Sequence, residues 1–329
     1  MLKDLHASAI RLQVCSGISI CGAAKTITGE DSVIENFREK VEQTIDLLPP
    51  MPSIVGQLLS ALKGDDADFR VIGRIISKDP SMAMNVLKIA NSALFGLAQK
   101  VTSLDQAVMM LGTNEMVSLC ISCGAVRSLA APQGVRTMDL ERFWRHSVAT
   151  GVIAKIICRQ LKASRGDDLY LAGLTHDVGA VVLDRFKHDV YQEVLDLTHR
   201  ENISVLEAEQ RIMGASHDAA GSWLMQKWQL PEVFVEVAAY HHAVTRASQK
   251  HMVAVALISL ADLLARLTLH GFDGNMDGVV VTDTDAFKVL RKKYPPMAHL
   301  DVVKLVWDLH SAQPEIDEME GILKGSLPS

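Results

Sequence analysis

Ala172-Gly173-Leu174-Thr175-His176-Asp177-Val178-Gly179-Ala180 sets an imidazole beside a carboxylate, inside an apolar run that continues to Leu183. Burying an ionisable pair among such neighbours costs several kcal/mol unless hydrogen bonds or a metal ion compensate it. The pair therefore calls for partners from elsewhere in the chain. Candidates follow in order along the second half: His146 before it, then His217, the doublet His241-His242, and Asp262. Any one of them alone reads as an ordinary core or surface residue. Together, on separate segments of helical periodicity, they can line one polar cleft. Neighbours on a helix point about 100° apart, so His176 and Asp177 would flank that cleft rather than stack. A carboxylate can bridge two ions, whereas an imidazole commits to one.

Mixed imidazole and carboxylate ligands suit Fe, Mn or Zn better than Mg or Ca. Two such ions about 3.5 to 4 Å apart polarise a phosphate and generate hydroxide, which is phosphohydrolase chemistry. The expected metal ligands are thus His146, His176, Asp177, His217, His241, His242 and Asp262, for one or two divalent ions. If the centre is catalytic, Asp177 is its bridging residue. His6, His188, His199, His251, His270, His299 and His310 lie in polar or terminal settings and receive no role.

The surrounding chain reads as all-α. Its 329 residues are 48% hydrophobic, 22% charged and only 5% aromatic, with Ala, Leu, Val, Ile and Met dominating, a mix suited to packed helices. The formal net charge of -6 supplies no general basic field for nucleic acid. Arg291-Lys292-Lys293 reads as a solvated face. Five cysteines in a long chain argue against a secreted disulfide framework. Cys120 and Cys123, three apart on an apolar helix, read as core thiols, since no second Cys pair completes a zinc site. No run reaches the length of a membrane span, and the first residues make a poor signal peptide. A cytoplasmic protein with no membrane partner is the expectation.

Four regions are expected. Residues 1–46 form an extension with one amphipathic helix, on which Val33, Phe37, Val41 and Ile45 recur before Pro49-Pro50 stops the pattern. Residues 47–131 form a unit of short helices. Asp79 caps one with Pro80 at its first position, and Ser103 with Gln106 makes a capping box for another. The Asn91 to Gly96 stretch is either a helix end with its turn or a partner-binding loop. Residues 132–270 carry the His and Asp positions, with Met252 to Leu267 the segment buried on all sides. Residues 271–329 are a tail with two helices, at about 283–291 and 300–309.

These residues carry a resemblance. The second half resembles the HD superfamily of metal-dependent phosphohydrolases, whose ordered signature of His, His-Asp, His, His-His and Asp matches the positions above. The first half resembles the HDOD family, the HD-related output domain of bacterial signalling proteins. The matching pieces are Leu48-Pro49-Pro50-Met51-Pro52, Ile76-Ser77-Lys78-Asp79-Pro80, Asn91-Ser92-Ala93-Leu94-Phe95-Gly96 and Gln106-Ala107-Val108-Met109-Met110-Leu111-Gly112. The resemblance implies an N-terminal helical subdomain packed on an HD-like one. It further implies a regulatory output module that acts through a protein partner in a signalling pathway. The alternative it implies is a metal-dependent phosphohydrolase acting on a nucleotide or another phosphate ester. In the cyclic-di-GMP phosphodiesterase branch, a Gly-Lys pair follows the His-Asp doublet and a Gly-Tyr-Pro motif follows the His-His doublet. Here Ala180 follows Gly179, and Ala243 to Lys250 contains no such motif. Alanine offers a phosphate no charge.

Overall fold

The computed structural model describes residue 41 and residues 43–63, 68–130, 137–163, 169–271 and 278–325. Most of the extension lies outside these residues, as do Gly64, Cys15, Cys21, the Pro132-Gln133-Gly134 break and the Gly166-Asp167-Asp168 turn. The fold is all-α, with no strand among the described residues. Residues 43–47 end a helix before the prolines.

The first layer comprises α1 (Ser53–Lys63), α2 (Phe69–Ile76), α3 (Pro80–Ala90), α4 (Leu104–Leu111) and α5 (Thr113–Ala130). Short helices of this kind depend on their caps, because each N-terminus leaves backbone N–H groups without internal acceptors. Asp68 accepts from Arg70 N, Asp79 from Met82 N and Ser103 from Gln106 N. The expected reciprocal bond of the capping box is displaced by one residue: Gln106 Oε1 accepts from Thr102 N at 3.0 Å rather than from Ser103. Cys120 and Cys123 are free and buried on α5, and burial raises both thiol pKa values, that of Cys123 to about 12.

The second layer comprises α6 (Leu140–Gln160), α7 (Leu169–Thr175), α8 (Val178–Phe186), α9 (His188–Glu201), α10 (Val205–Met213), α11 (His217–Lys227), α12 (Glu232–Tyr240) and α13 (Met252–Ala265). No residue of α13 is exposed, which matches its apolar reading. It packs against α6, α7 and α12. The two layers meet where α5 crosses α7, and Lys155 Nζ on α6 donates to Glu115 Oε1 on α5 at 2.8 Å.

Among its described residues the tail contains three α-helices rather than the expected two: α14 (Asp285–Lys293), α15 (Val302–His310) and α16 (Gln313–Lys324). The last was announced by Pro314, at a helix start where its missing N–H costs nothing. α16 packs on both α3 and α6, so it joins the layers. Glu318 accepts from Ala93 N at 3.1 Å, and Lys155 Nζ stands 4.1 Å from the centre of the Phe95 ring. The Asn91 to Gly96 stretch is thus a helix end and turn, held by α16 and α6.

Two close helix approaches place the second half's polar residues. A Cβ on Gly173 of α7 would lie 2.5 Å from Gly151 Cα of α6, so only glycine lets these helices touch backbone to backbone. A Cβ on Gly179 of α8 would lie 1.8 Å from the His217 carbonyl oxygen and 2.4 Å from Gly221 N of α11. These contacts bring the starts of α8 and α11 together.

Candidate metal centre

The sequence placed His176 and Asp177 on one helix, and the structure corrects this. α7 ends at Thr175 and α8 begins at Val178, leaving the doublet in the break. In a continuing helix the Gly173 carbonyl would accept from the N–H of residue 177. Here His176 Nδ1 donates to it instead, at 2.7 Å. Asp177 occupies the N-cap position of α8, yet its side chain makes no capping hydrogen bond. An N-cap Asp ordinarily accepts from the first turn. This carboxylate points at histidines.

All seven expected residues come together. Asp177 divides its oxygens between two sets of rings. Oδ2 lies 3.1 Å from His176 Nε2 and 3.6 Å from His146 Nε2. Oδ1 lies 3.0 Å from His241 Nε2 and 3.5 Å from His217 Nε2. Asp262 Oδ1 closes the first set, 3.1 Å from His146 Nε2 and 3.8 Å from His176 Nε2. His242 Nε2 closes the second, 2.9 Å from His217 Nε2. His242 is exposed, whereas the other six are buried.

Each buried ring is oriented through its other nitrogen. His146 Nδ1 donates to the His270 carbonyl at 3.1 Å, and His241 Nδ1 to those of Val237 and Ala238 at 3.0 and 3.1 Å. His217 Nδ1 donates to Glu209 Oε2 at 2.7 Å. Carbonyl oxygens only accept, so the Nδ1 atoms of His146, His176 and His241 carry the hydrogens and their Nε2 lone pairs face inward. Lone pairs then confront carboxylate oxygens, an arrangement that needs cations between them. Consistently, His176 Nε2, His241 Nε2 and Asp177 Oδ1 are buried and form no hydrogen bond of acceptable angle.

Without metal, protons supply part of that charge. Burial alone would depress His176, but the charge of Asp177, 3.1 Å from its Nε2, helped by Asp262, raises it to about 10. His217 is likewise raised to about 10, by Glu209 and then Asp177 against the effect of burial. Burial would raise both aspartates, yet His176 chiefly holds Asp177 well below the usual carboxylate range, and Arg266 does the same for Asp262. Although His242 is exposed as a residue, its ring packs against His217 and His241 and is pushed well down, by desolvation and then by those two histidines. The donor set fits divalent transition metals: nitrogen and carboxylate oxygen, oriented from behind, with two four-residue groups sharing Asp177.

Residues 48–244 match the HDOD domain family. The chain belongs to the HDOD family. Its structure is similar to that of an HDOD domain protein of unknown function from Geobacter sulfurreducens, at 26% identity and a TM-score of 0.72, covering 88% of this chain and 98% of that one. It also shares the fold of a proposed phosphohydrolase from Shewanella amazonensis SB2B, at 20% identity and a TM-score of 0.63, covering 86% and 98% of the two chains. An uncharacterized protein of Treponema pallidum (strain Nichols) is 25% identical over 231 residues, 69% of this chain. The chain spans 44% of the length of that relative.

Three features of this HDOD protein escaped the sequence reading. Glu209, fully buried, accepts from both His217 N and His217 Nδ1, and Tyr191 Oη donates to its other oxygen at 3.0 Å. On an amphipathic helix that also carries Glu207, nothing distinguished it. His270 was assigned a polar setting, but it is buried, and its carbonyl orients His146 while its ring Nε2 meets Gln313 Oε1 at 2.7 Å. His251 is buried too. It pairs with Glu236 at 2.9 Å, and Ser248 N donates to the same carboxylate, fastening the chain that follows His241-His242. Among the described residues no single helix is long and apolar enough to cross a membrane.

Proposed function

We propose that this HDOD protein binds divalent transition-metal ions in the His and Asp cluster and hydrolyses a phosphate ester there. The observation that carries this reading is the division of Asp177 between two imidazole sets, with one oxygen facing each. His146, His176, Asp177 and Asp262 would hold one ion, and Asp177, His217, His241 and His242 the other. Ions bound there would acidify water and screen the charge of a phosphate. The chain's own part is to fix the rings: carbonyls of Gly173, Val237, Ala238 and His270, together with the Glu209 carboxylate, hold every buried Nδ1. His242, the exposed member of the cluster, is the ligand a substrate would meet first.

A second reading is favoured by Ala180, which is buried and uncharged where the phosphodiesterase branch carries lysine. Under it the centre is structural, and the module signals through a protein partner. One experiment separates the two. Purified protein is assayed for metal content, then for hydrolysis of bis(p-nitrophenyl) phosphate, p-nitrophenyl phosphate and a nucleotide panel after loading with Mn or Fe. The first reading expects bound metal and turnover, both abolished in Asp177→Asn. Metal without turnover supports the second. Absence of metal after loading rejects the metal centre altogether.

A further inference from the structure

The two donor sets of the centre are not equivalent, because one carboxylate of the first is already paired with a cation of the chain. Asp262 is paired with Arg266, one turn on, at both carboxylate oxygens. Arg266 Nε donates to Oδ1 at 3.0 Å, and its terminal Nη2 meets Oδ2. Oδ1 is also the oxygen that faces His146 and His176. A guanidinium is never deprotonated at working pH, so this charge is permanent. Its side chain is only 17% exposed, and Asp262 is 5% exposed, so water screens the pair poorly. By contrast, no ion pair of the other set involves a Lys or Arg among the described residues. Asp177, His217 and His241 face one another there, and His242 completes the group.

We propose that Arg266 acts as a resident cation that competes with the ion of the Asp262 set. The centre then has one strong site, at Asp177, His217, His241 and His242, and one contested site that fills only when Arg266 gives up Oδ1 or bears the repulsion of a nearby dication. The backbone supports such a role. Arg266 opens a π-helical turn, Arg266–His270, which continues α13 and presents the His270 carbonyl to His146. A π turn of this sort commonly marks a functional position. The same short segment therefore orients one ligand of the contested set and neutralises another. This inference rests on the metal-binding reading above and adds to it a hierarchy between the ions.

Mn(II) titration of metal-free full-length protein tests this, with free ion followed by EPR and the bound signal inspected for coupling between two ions. The wild-type protein should bind one ion tightly, with an uncoupled signal, and a second at least roughly tenfold more weakly, a gap of about 1.4 kcal/mol by the usual conversion. Arg266→Gln should narrow that gap and produce the coupled signal at lower Mn(II). Asp262→Asn should keep the tight ion and lose the weak one, which holds the test open if Arg266→Gln folds poorly. Two ions of equal affinity in the wild-type protein would overturn the inference while leaving the metal centre intact. Loss of the tight ion in Asp262→Asn would overturn it as well. No bound ion at all would remove the metal reading and this inference with it.

Discussion

Replacing Gly179 by alanine tests how the centre is built. The added Cβ would stand 1.8 Å from the His217 carbonyl oxygen, 2.4 Å from Gly221 N and 2.8 Å from the His217 carbonyl carbon. Ordinary contact begins near 3.4 Å, so α8 and α11 must separate locally by about 1.6 Å. All three atoms are backbone, and no rotamer change relieves them. Overpacking that side chains can absorb costs about 1–3 kcal/mol. Here we expect the upper end, about 3 kcal/mol, which at roughly 2–4 °C per kcal/mol lowers the melting temperature by about 6 °C or more. The separation also draws Asp177, which adjoins α8, away from His217 at the start of α11, so bound metal should fall with stability. Differential scanning calorimetry of the metal-free protein and metal counting on the loaded one read the two effects. Gly56→Ala is the control. Gly56 is exposed on α1 with nothing within 4 Å of an added Cβ, and the change should stabilise by up to about 1 kcal/mol. A Gly179→Ala protein with an unchanged melting temperature and full metal content would refute the close-approach argument.

Glu209→Gln should weaken metal binding by about 10- to 100-fold, because the carboxylate behind His217 raises its basicity and fixes its orientation; competition with a chromophoric chelator measures this, and unchanged affinity counts against the role. His176 and His217 are raised to about 10, so metal must displace protons from them. Affinity should rise with pH from 6 to 9, and calorimetry in buffers of different ionisation enthalpy should record proton release; a pH-independent affinity contradicts this. The metal-free protein should show the opposite slope. Groups whose folded pKa exceeds the unfolded value of about 6.5 contribute stability in full below that pH, and it is lost as pH rises towards about 10. A metal-free melting temperature that rises from pH 7 to 9.5 would refute the assignment. In a background of Cys15→Ser and Cys21→Ser, Ellman's reagent should find no reactive thiol in the native protein, since Cys120, Cys123 and Cys158 are buried; rapid labelling before unfolding contradicts that burial.

Residues that the structure groups together could be read from the chain where they interrupt an apolar pattern. His176-Asp177 does so within Ala172 to Leu183, and Asp262 within the most hydrophobic helix. Proline and small capping residues made the helices of the first layer legible in the same way, as at Asp79-Pro80. What was hidden depends on geometry that periodicity does not encode. The break at the doublet arises from a ring bonding backward to Gly173, and no local propensity announces it. Glu209 looked like any surface acid until α10 turned it inward onto His217. Arg266 received no role from the sequence, and its pairing with Asp262 appears only once the fold leaves it half-buried beside that carboxylate. Backbone acceptors such as the His270 carbonyl have no sequence signature at all.

The place of α16 bears on how the module can be excised. The stretch that matches the family ends at residue 244, ahead of Asp262, the Arg266–His270 turn and α16. A fragment trimmed there would lose a carboxylate of the cluster, the carbonyl behind His146, and the helix whose Asp317 and Glu320 pair with Arg145 beside it. It would also uncover the faces of α3 and α6 that α16 packs on. A fragment for expression needs to run through Lys324, and one cut at the family boundary would misreport both the fold's stability and its capacity for metal.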